Sequence, residues 1–270
     1  MEIDTYFSGI LIILGSIALS IVGLVAVRRL VDLKVLESWH VVSGNFFALV
    51  GTLYAVLLGL IVVDAMSRFQ QASNVVDQEA NALADIFLLS ERLPERNRLE
   101  VQHMCASYVD LVVNKEWNAM DDAAYTPDAR KAAVALIKAV RNIEPRTNAE
   151  SAIFSTLLTE TCQLWDSRRA RIVTCTKGLP TLEWVALIVG GIVTVVFTFF
   201  FAVDSLMAQI TMTAMVTLLI SLNIFLILMF GYPFSGQLKV HPDTFKLDQE
   251  IFENRLGLVP RYGENSPMFR

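Results

Sequence analysis

Ser38–Val63 reads SWHVVSGNFFALVGTLYAVLLGLIVV, a run with no Asp, Glu, Lys or Arg. A helix rises about 1.5 Å per residue, so roughly 20 apolar residues cross a hydrocarbon core about 30 Å thick. Three further segments share this property: Thr5–Val27, Trp184–Val203 and Ser205–Leu238. They form two pairs separated by the polar stretch Asp64–Glu183. Backbone polar groups in lipid must be satisfied within their own segment, which makes each run a helix. The pattern predicts an all-α membrane protein with four transmembrane helices in two pairs and a four-helix extramembrane domain between spans two and three. The expected boundaries are residues 5–63 for spans one and two, 64–183 for the domain, 184–232 for the hairpin of spans three and four, and 233–270 for a polar C-terminal tail.

Composition agrees. The chain is 54% hydrophobic and 18% charged, against about 25% charged in soluble domains. Of the 49 charged residues, 31 lie between Asp64 and Glu183, 17 of them acidic and 14 basic. No basic block interleaved with aromatics is present, which argues against a nucleic-acid partner. The partners expected are the lipid bilayer, a second copy of the chain and small inorganic ions. Glu2 and Asp4 replace the basic n-region of a signal peptide, and the first apolar run is too long for an h-region. Cys105, Cys162 and Cys175 are odd in number and form no CxxC or Cys/His cluster, so they read as free thiols. No metal site or cofactor is expected. GxxxxGK[ST], GxGxxG and HExxH are absent, and His40, His103 and His241 are scattered; no enzymatic reading is supported.

Within the polar stretch, the second span continues into Asp64–Leu93 without Pro or Gly, and Val76, Ala80, Leu83 and Phe87 recur at one-face spacing. Pro94 opens the next helix, with Leu99, Ala106, Val113 and Met120 on one stripe. Pro127 starts a third, facing inward through Ala133, Leu136, Ile137 and Val140, and a fourth runs from about Asn148 with Ile153, Leu157, Leu164 and Ile172 inward. The tail, with Pro242, Pro260 and Pro267, is expected to trail over the domain surface. An even number of spans puts both termini and the domain on one face. Arg28, Arg29 and Lys34 in the first loop place that face outside; Arg168, Arg169, Arg171 and Lys177 beside the third span place it inside. The two indications oppose each other.

Inside the membrane, Gly44, Ala48, Gly51, Ala55 and Gly59 form a small-residue stripe suited to close helix packing, within the chain or between subunits. Asn45, Phe46, Thr52 and Tyr54 on other faces of the same span, with Asp64 at its end, are the candidate pore-lining residues. Phe47 adds a further ring, and such rings can gate a pore by dewetting. Asp204 marks the opposite end of the bundle. Thr194 and Thr198, with Gln209, Thr213, Thr217 and Ser221, form polar stripes expected to bind spans three and four together, and Asn223 lies deep in span four. No ionisable residue lies mid-span, which weighs against a proton-coupled transporter. The Arg168, Arg169 and Arg171 group is a candidate basic vestibule, or else a solvated face paired with acids of the domain.

An ordered set of motifs carries a resemblance: Gly51–Asp64, Glu79-Ala-Asn-Ala-Leu83, Glu116-Trp117, Arg168-Arg169-Ala-Arg171, Gly178-Leu-Pro180, Trp184, Thr198-Phe-Phe-Phe201 and Pro233-Phe-Ser-Gly236. Over nearly the whole chain these resemble the bacterial bestrophin-like domain family, itself similar to the bestrophins, pentameric anion channels whose second span lines the pore. The resemblance implies a homo-oligomeric, pentameric, anion-conducting channel of the bacterial inner membrane, with span two lining a pore on the symmetry axis. The other reading is a non-conducting scaffold or sensor whose helical domain binds a partner protein. Pro233-Phe234 is similar to the element preceding the bestrophin calcium clasp, but Gln237-Leu238-Lys239-Val240 follows in place of acids, so no calcium site is expected.

Overall fold

The computed structural model describes residues 5–31, 33–201, 203 and 205–258; the side chains of residues 5, 33–43 and 45 lie outside that description. Every regular element among the described residues is helical. In chain order they are α1 (Thr5–Leu30), α2 (Leu33–Ser90), α3 (Glu95–Leu111), a π-helical turn (Val112–Glu116), α4 (Trp117–Met120), α5 (Pro127–Arg141), α6 (Asn148–Thr176), α7 (Thr181–Phe199), α8 (Leu206–Gly231) and α9 (Asp243–Leu256). Four of the helices are long and apolar enough to cross a membrane. The chain divides into two compact units. One comprises Met1–Phe69 and Lys177–Leu238, the other Gln70–Thr176 and Lys239–Arg270.

In the membrane unit, α1, α7 and α8 pack on one another. The N-terminal part of α2 joins through Tyr54, Leu58, Ile61 and Ala65, which meet Leu179, Leu187 and Ile227. Close approach depends on glycine at two points. A Cβ on Gly190 would lie 2.5 Å from the Tyr54 ring, and one on Gly9 would lie 2.1 Å from the Phe225 ring. The polar stripes of α7 and α8 face inward. The Thr198 and Thr213 hydroxyls share a hydrogen bond of 3.0 Å between the two helices. Thr194 and Thr217 instead donate to carbonyls of their own helices, and Asn223 does the same to Leu219. Gln209 is the stronger tie. Its amide donates to the Phe201 carbonyl at 2.7 Å, and its Oε1 accepts from Arg28 at 2.9 Å. Arg28 also donates to the Val203 carbonyl. The end of α1 thus fastens the α7–α8 connection; Asp204 lies outside the described residues.

In the domain unit, the Val76, Ala80, Leu83 and Phe87 face of α2 is buried as expected. The inward residues of α5 and α6 also agree with expectation at Ala133, Leu136, Val140, Leu157 and Leu164. Two expectations are corrected. First, the sevenfold stripe is buried only at Met120: Leu99 is exposed and Ala106 and Val113 are partly exposed, while Val101, Cys105, Tyr108 and Val112 are buried. A true helix repeats at 3.6 residues, and the π turn at Val112–Glu116 inserts an extra residue that shifts the phase further. Second, the C-terminal tail does not simply trail. It forms α9, whose Phe252 stacks on Phe87 at 4.1 Å, with Phe245 buried beside Trp117. The apolar spacing Phe245–Phe252, with Asp243 in the first turn and Gly257 in the left-handed conformation at the end, is the signature of that helix. Cys105 is buried, Cys175 half-buried and Cys162 exposed, all as free thiols.

Candidate functional site

Two constellations stand out. One is the membrane-embedded part of α2, the other a charge cluster inside the domain.

Along α2, the buried edge Tyr54, Leu58, Ile61 and Ala65 follows 4-3-4 spacing. At about 100° per residue, Thr52, Val56, Gly59 and Val63 fall on the opposite side of the helix, and all four are exposed. Thr52 satisfies its hydroxyl on the Ala48 carbonyl at 2.7 Å, leaving its oxygen lone pairs outward. The small-residue stripe adjoins this side. Ala48, Ala55 and Gly59 are exposed, Gly44 and Gly51 partly so. A Cβ built on Gly44, Gly51 or Gly59 meets no atom within 4 Å. Among the described residues, the glycines of the stripe therefore make no close helix contact; the glycines that do include Gly9 and Gly190.

The candidate pore-lining residues separate on this helix. Phe46 and Thr52 are exposed. Asp64, at the end of the apolar run, is partly exposed and accepts a 2.5 Å hydrogen bond from Arg68 one turn on. The side chain of Asn45 lies outside the described residues. Tyr54 is corrected: it is buried, and its hydroxyl donates to the Leu187 carbonyl at 2.9 Å, so its ring packs two helices of one chain together. Phe47 likewise meets Phe201 edge-to-face within the chain.

The domain cluster draws on four elements. Glu79 comes from α2, Tyr108 from α3, Glu116 from the π turn, and Arg168 and Arg171 from α6. Glu79, Glu116 and Arg171 are solvent-inaccessible, and Arg168 is 2% exposed. Arg171 donates to Glu79 at 2.6 and 2.9 Å, to Glu116 at 3.0 Å and to the Met120 sulfur at 2.9 Å. Arg168 grips both Glu116 oxygens at 2.6 and 2.7 Å. The Tyr108 hydroxyl donates to Glu79 and accepts from Arg168. Arg171 also lies over the rings of Trp117 and Phe245.

Two guanidiniums thus face two carboxylates with their hydrogen-bonding capacity largely used. Burial would push Glu116 up, but its bonds to Arg168 and the Arg171 charge outweigh it and hold the carboxyl below its ordinary range. Burial would likewise lower both arginines, and Glu116 and Glu79 hold them up. The Tyr108 hydroxyl is driven up by burial and then by Glu79. The expected basic vestibule is corrected accordingly: Arg168 and Arg171 point inward and are neutralised, and only Arg169 is exposed. A signal was present in the sequence. Leu157, Thr161, Leu164, Arg168 and Arg171 continue one inward stripe at 4-3-4-3 spacing, so the arginines had to meet buried acids.

The cluster offers no free nucleophile, acid or base. Among the described residues no group of three or more His, Cys, Asp or Glu could hold a metal ion. Two other carboxylates each keep one unsatisfied buried oxygen among the described residues, Glu183 Oε2 on α7 and Asp248 Oδ2 on α9. Asp248 of α9 is buried with its Oδ2 lacking a hydrogen-bond partner, and burial followed by the Asp85 charge pushes it up to about 7.

Comparison with known proteins adds a lineage. No curated protein matches the chain in sequence. Among solved structures, a single-residue variant of a bacterial bestrophin homologue from Klebsiella pneumoniae superposes with a TM-score of 0.70 at 12% identity, covering 93% of this chain and 98% of that one. A second variant of that homologue gives 0.67 at 11% identity, covering 91% and 99%. A further structure of the homologue, phased by zinc anomalous scattering, gives 0.66 at 12% identity, covering 92% and 100%. At such identities the likeness speaks for the fold. The sequence pattern of the bestrophin-like domain covers residues 14–245, and this multi-pass, all-helical membrane protein belongs to the bestrophin-like domain family.

Proposed function

We propose that the chain is one subunit of a homo-oligomeric ion channel of the bacterial inner membrane, anion-conducting, with α2 lining a pore on the symmetry axis. The observation that carries this reading is the outward stripe of α2. Gly44, Gly51 and Gly59 face open space in a single chain, and Thr52 lies beside them with its hydroxyl outward. Small residues in a membrane helix permit close approach of another backbone or leave room for a conduit. The interior of one bundle offers no alternative route, because its polar groups Thr198, Thr213 and Gln209 are consumed by bonds between and within helices. A conduit must then lie between subunits. Five subunits are the number suggested by family kinship.

The second span has no fixed charge between residues 38 and 63. In such a pore, selectivity comes from hydroxyls, apolar constrictions such as Phe46, and the partly paired Asp64 at one end. The test is flux from proteoliposomes loaded with chloride, using protein whose oligomeric ring has been verified. Chloride efflux that is reduced by Thr52→Leu supports the reading. A verified ring that conducts neither anions nor cations at either polarity overturns it.

A further inference from the structure

The domain unit carries two charged surfaces of opposite sign that form no salt bridge to each other or elsewhere among the described residues. The basic one is a groove of about 260 Å³ on α5 and α6, lined by Tyr125, Arg130, Trp165, Arg169, Ile172 and Val173, with Arg168 at its floor. Arg130 and Arg169 are exposed. Neither forms a salt bridge among the described residues, whereas Arg168 is already held by Glu116. The acidic surface is formed by Asp85 on α2 and Glu160 on α6, backed by the unpartnered Oδ2 of Asp248 on α9. Asp85 lies close enough to raise both Glu160 and Asp248, after burial, and none of the three forms a salt bridge among the described residues.

The two surfaces flank one buried stripe. On α6 that stripe is Leu157, Thr161, Leu164, Arg168 and Arg171. At about 100° per residue, Glu160 falls on one side of it by about 60°, while Trp165 and Arg169 fall on the other by about 80° and 120°. A subunit with complementary but different surfaces on its two flanks is what a head-to-tail ring requires, since every copy supplies one of each.

We propose that the Tyr125, Arg130, Trp165 and Arg169 groove receives the Asp85 and Glu160 flank of a neighbouring copy of the same chain, closing the helical domains into a ring. This rests on the homo-oligomeric reading above and names its contact surface. Arginine forks suit carboxylates geometrically, and Trp165 and Tyr125 supply the large, low-entropy contact area typical of interface anchors.

Two measurements on the full chain in lipid nanodiscs test it. The first is mass by light scattering, with helicity by circular dichroism. Both Arg130→Glu/Arg169→Glu and Asp85→Lys/Glu160→Lys are expected to lose the ring while remaining helical, and combining all four substitutions is expected to restore it. The second is oxidative crosslinking of an Arg169→Cys/Asp85→Cys chain carrying Cys162→Ser. It is expected to give a ladder ending at the ring mass, with neither single cysteine doing so; this arm decides if the charge reversals prevent folding. A ring that survives charge reversal, a folded quadruple variant that stays dispersed, or a ring whose Arg169→Cys captures a foreign protein instead overturns the interface and leaves the oligomer standing. A wild-type chain that is monomeric in nanodiscs overturns both.

Discussion

Arg171 and Glu79, 92 positions apart in sequence, meet through two hydrogen bonds of 2.6 and 2.9 Å at a point where neither side chain touches solvent. Arg171 also shares Glu116 with Arg168, so the cluster joins α2, α3, the π turn and α6 inside one unit. Taking charges out of water is costly, and the mutual attraction repays it only while every partner is present.

Removing one partner should therefore hurt more than removing the pair. Glu79→Gln leaves Arg171 facing one carboxylate instead of two, and Arg171→Met strands Glu79. Each single change is expected to cost about 3–5 kcal/mol, the range for breaking a buried pair. The double Glu79→Leu/Arg171→Met variant should lose less than the sum of the two. Thermal unfolding in detergent, followed by circular dichroism, measures this; additive losses would contradict the coupling.

The glycines of the membrane unit give a sharp contrast. Gly190→Ala places a methyl 2.5 Å from the Tyr54 ring and forces α2 away from α7. Overpacking of this kind costs about 1–3 kcal/mol. At Gly51 a Cβ meets nothing within 4 Å among the described residues, so Gly51→Leu extends into open space beside α2. It should leave the melting temperature of the dispersed subunit unchanged while altering ring mass or chloride flux. Comparable melting losses for the two variants would remove the distinction between inner and outer faces of α2.

Asp248 sets the pH dependence of α9. Its folded value of about 7 stands above the ordinary 3.8, so the folded chain binds the proton more tightly than the unfolded one. Stability from this group is therefore fully present at low pH and is lost as pH rises from the unfolded value through 7. The charged neighbour is Asp85, with Cys105 on α3 close enough to feel the same carboxylate. Protection of the amides in Asp243–Leu256, taken relative to the base-catalysed intrinsic exchange rate at each pH, should be lower at pH 8 than at pH 5, by an amount corresponding to about 2 kcal/mol. Asp248→Asn should abolish most of that difference.

The fold was legible because bilayer solvation writes long charge-free runs, and because Val76, Ala80, Leu83 and Phe87 keep helical phase from residue 76 to residue 87. What was not legible has identifiable causes. Periodicity reports which face is buried but not against what, so Tyr54 looked like a ring available to a pore when its hydroxyl is spent on Leu187. The π turn breaks phase between Leu111 and Trp117 and turns Glu116 inward. Arg168 and Arg171 looked like surface charge because their acids, Glu79 and Glu116, lie far away in sequence. The helix α9 was hidden by its low apolar content, only Phe245 and Phe252 of its fourteen residues being large and buried.

Gln209 offers the last separation of structural from conducting roles. Its amide group donates to the Thr198, Phe199 and Phe201 carbonyls at 3.4, 3.4 and 2.7 Å while its oxygen accepts from Arg28. It thereby supplies partners for the carbonyls left open at the end of α7. Gln209→Leu keeps the volume but strands those carbonyls and removes one acceptor of Arg28, which keeps the Val203 carbonyl. Unsatisfied buried groups cost about 1–3 kcal/mol each, so a drop in melting temperature is expected, larger than that of Thr213→Val, which loses one hydroxyl pair. Because Gln209 lies on the inner face of the bundle, the fraction of Gln209→Leu chains that remains folded should carry wild-type ion selectivity. A changed selectivity in that fraction would place Gln209 on the ion path and move the conduit from α2 to α8.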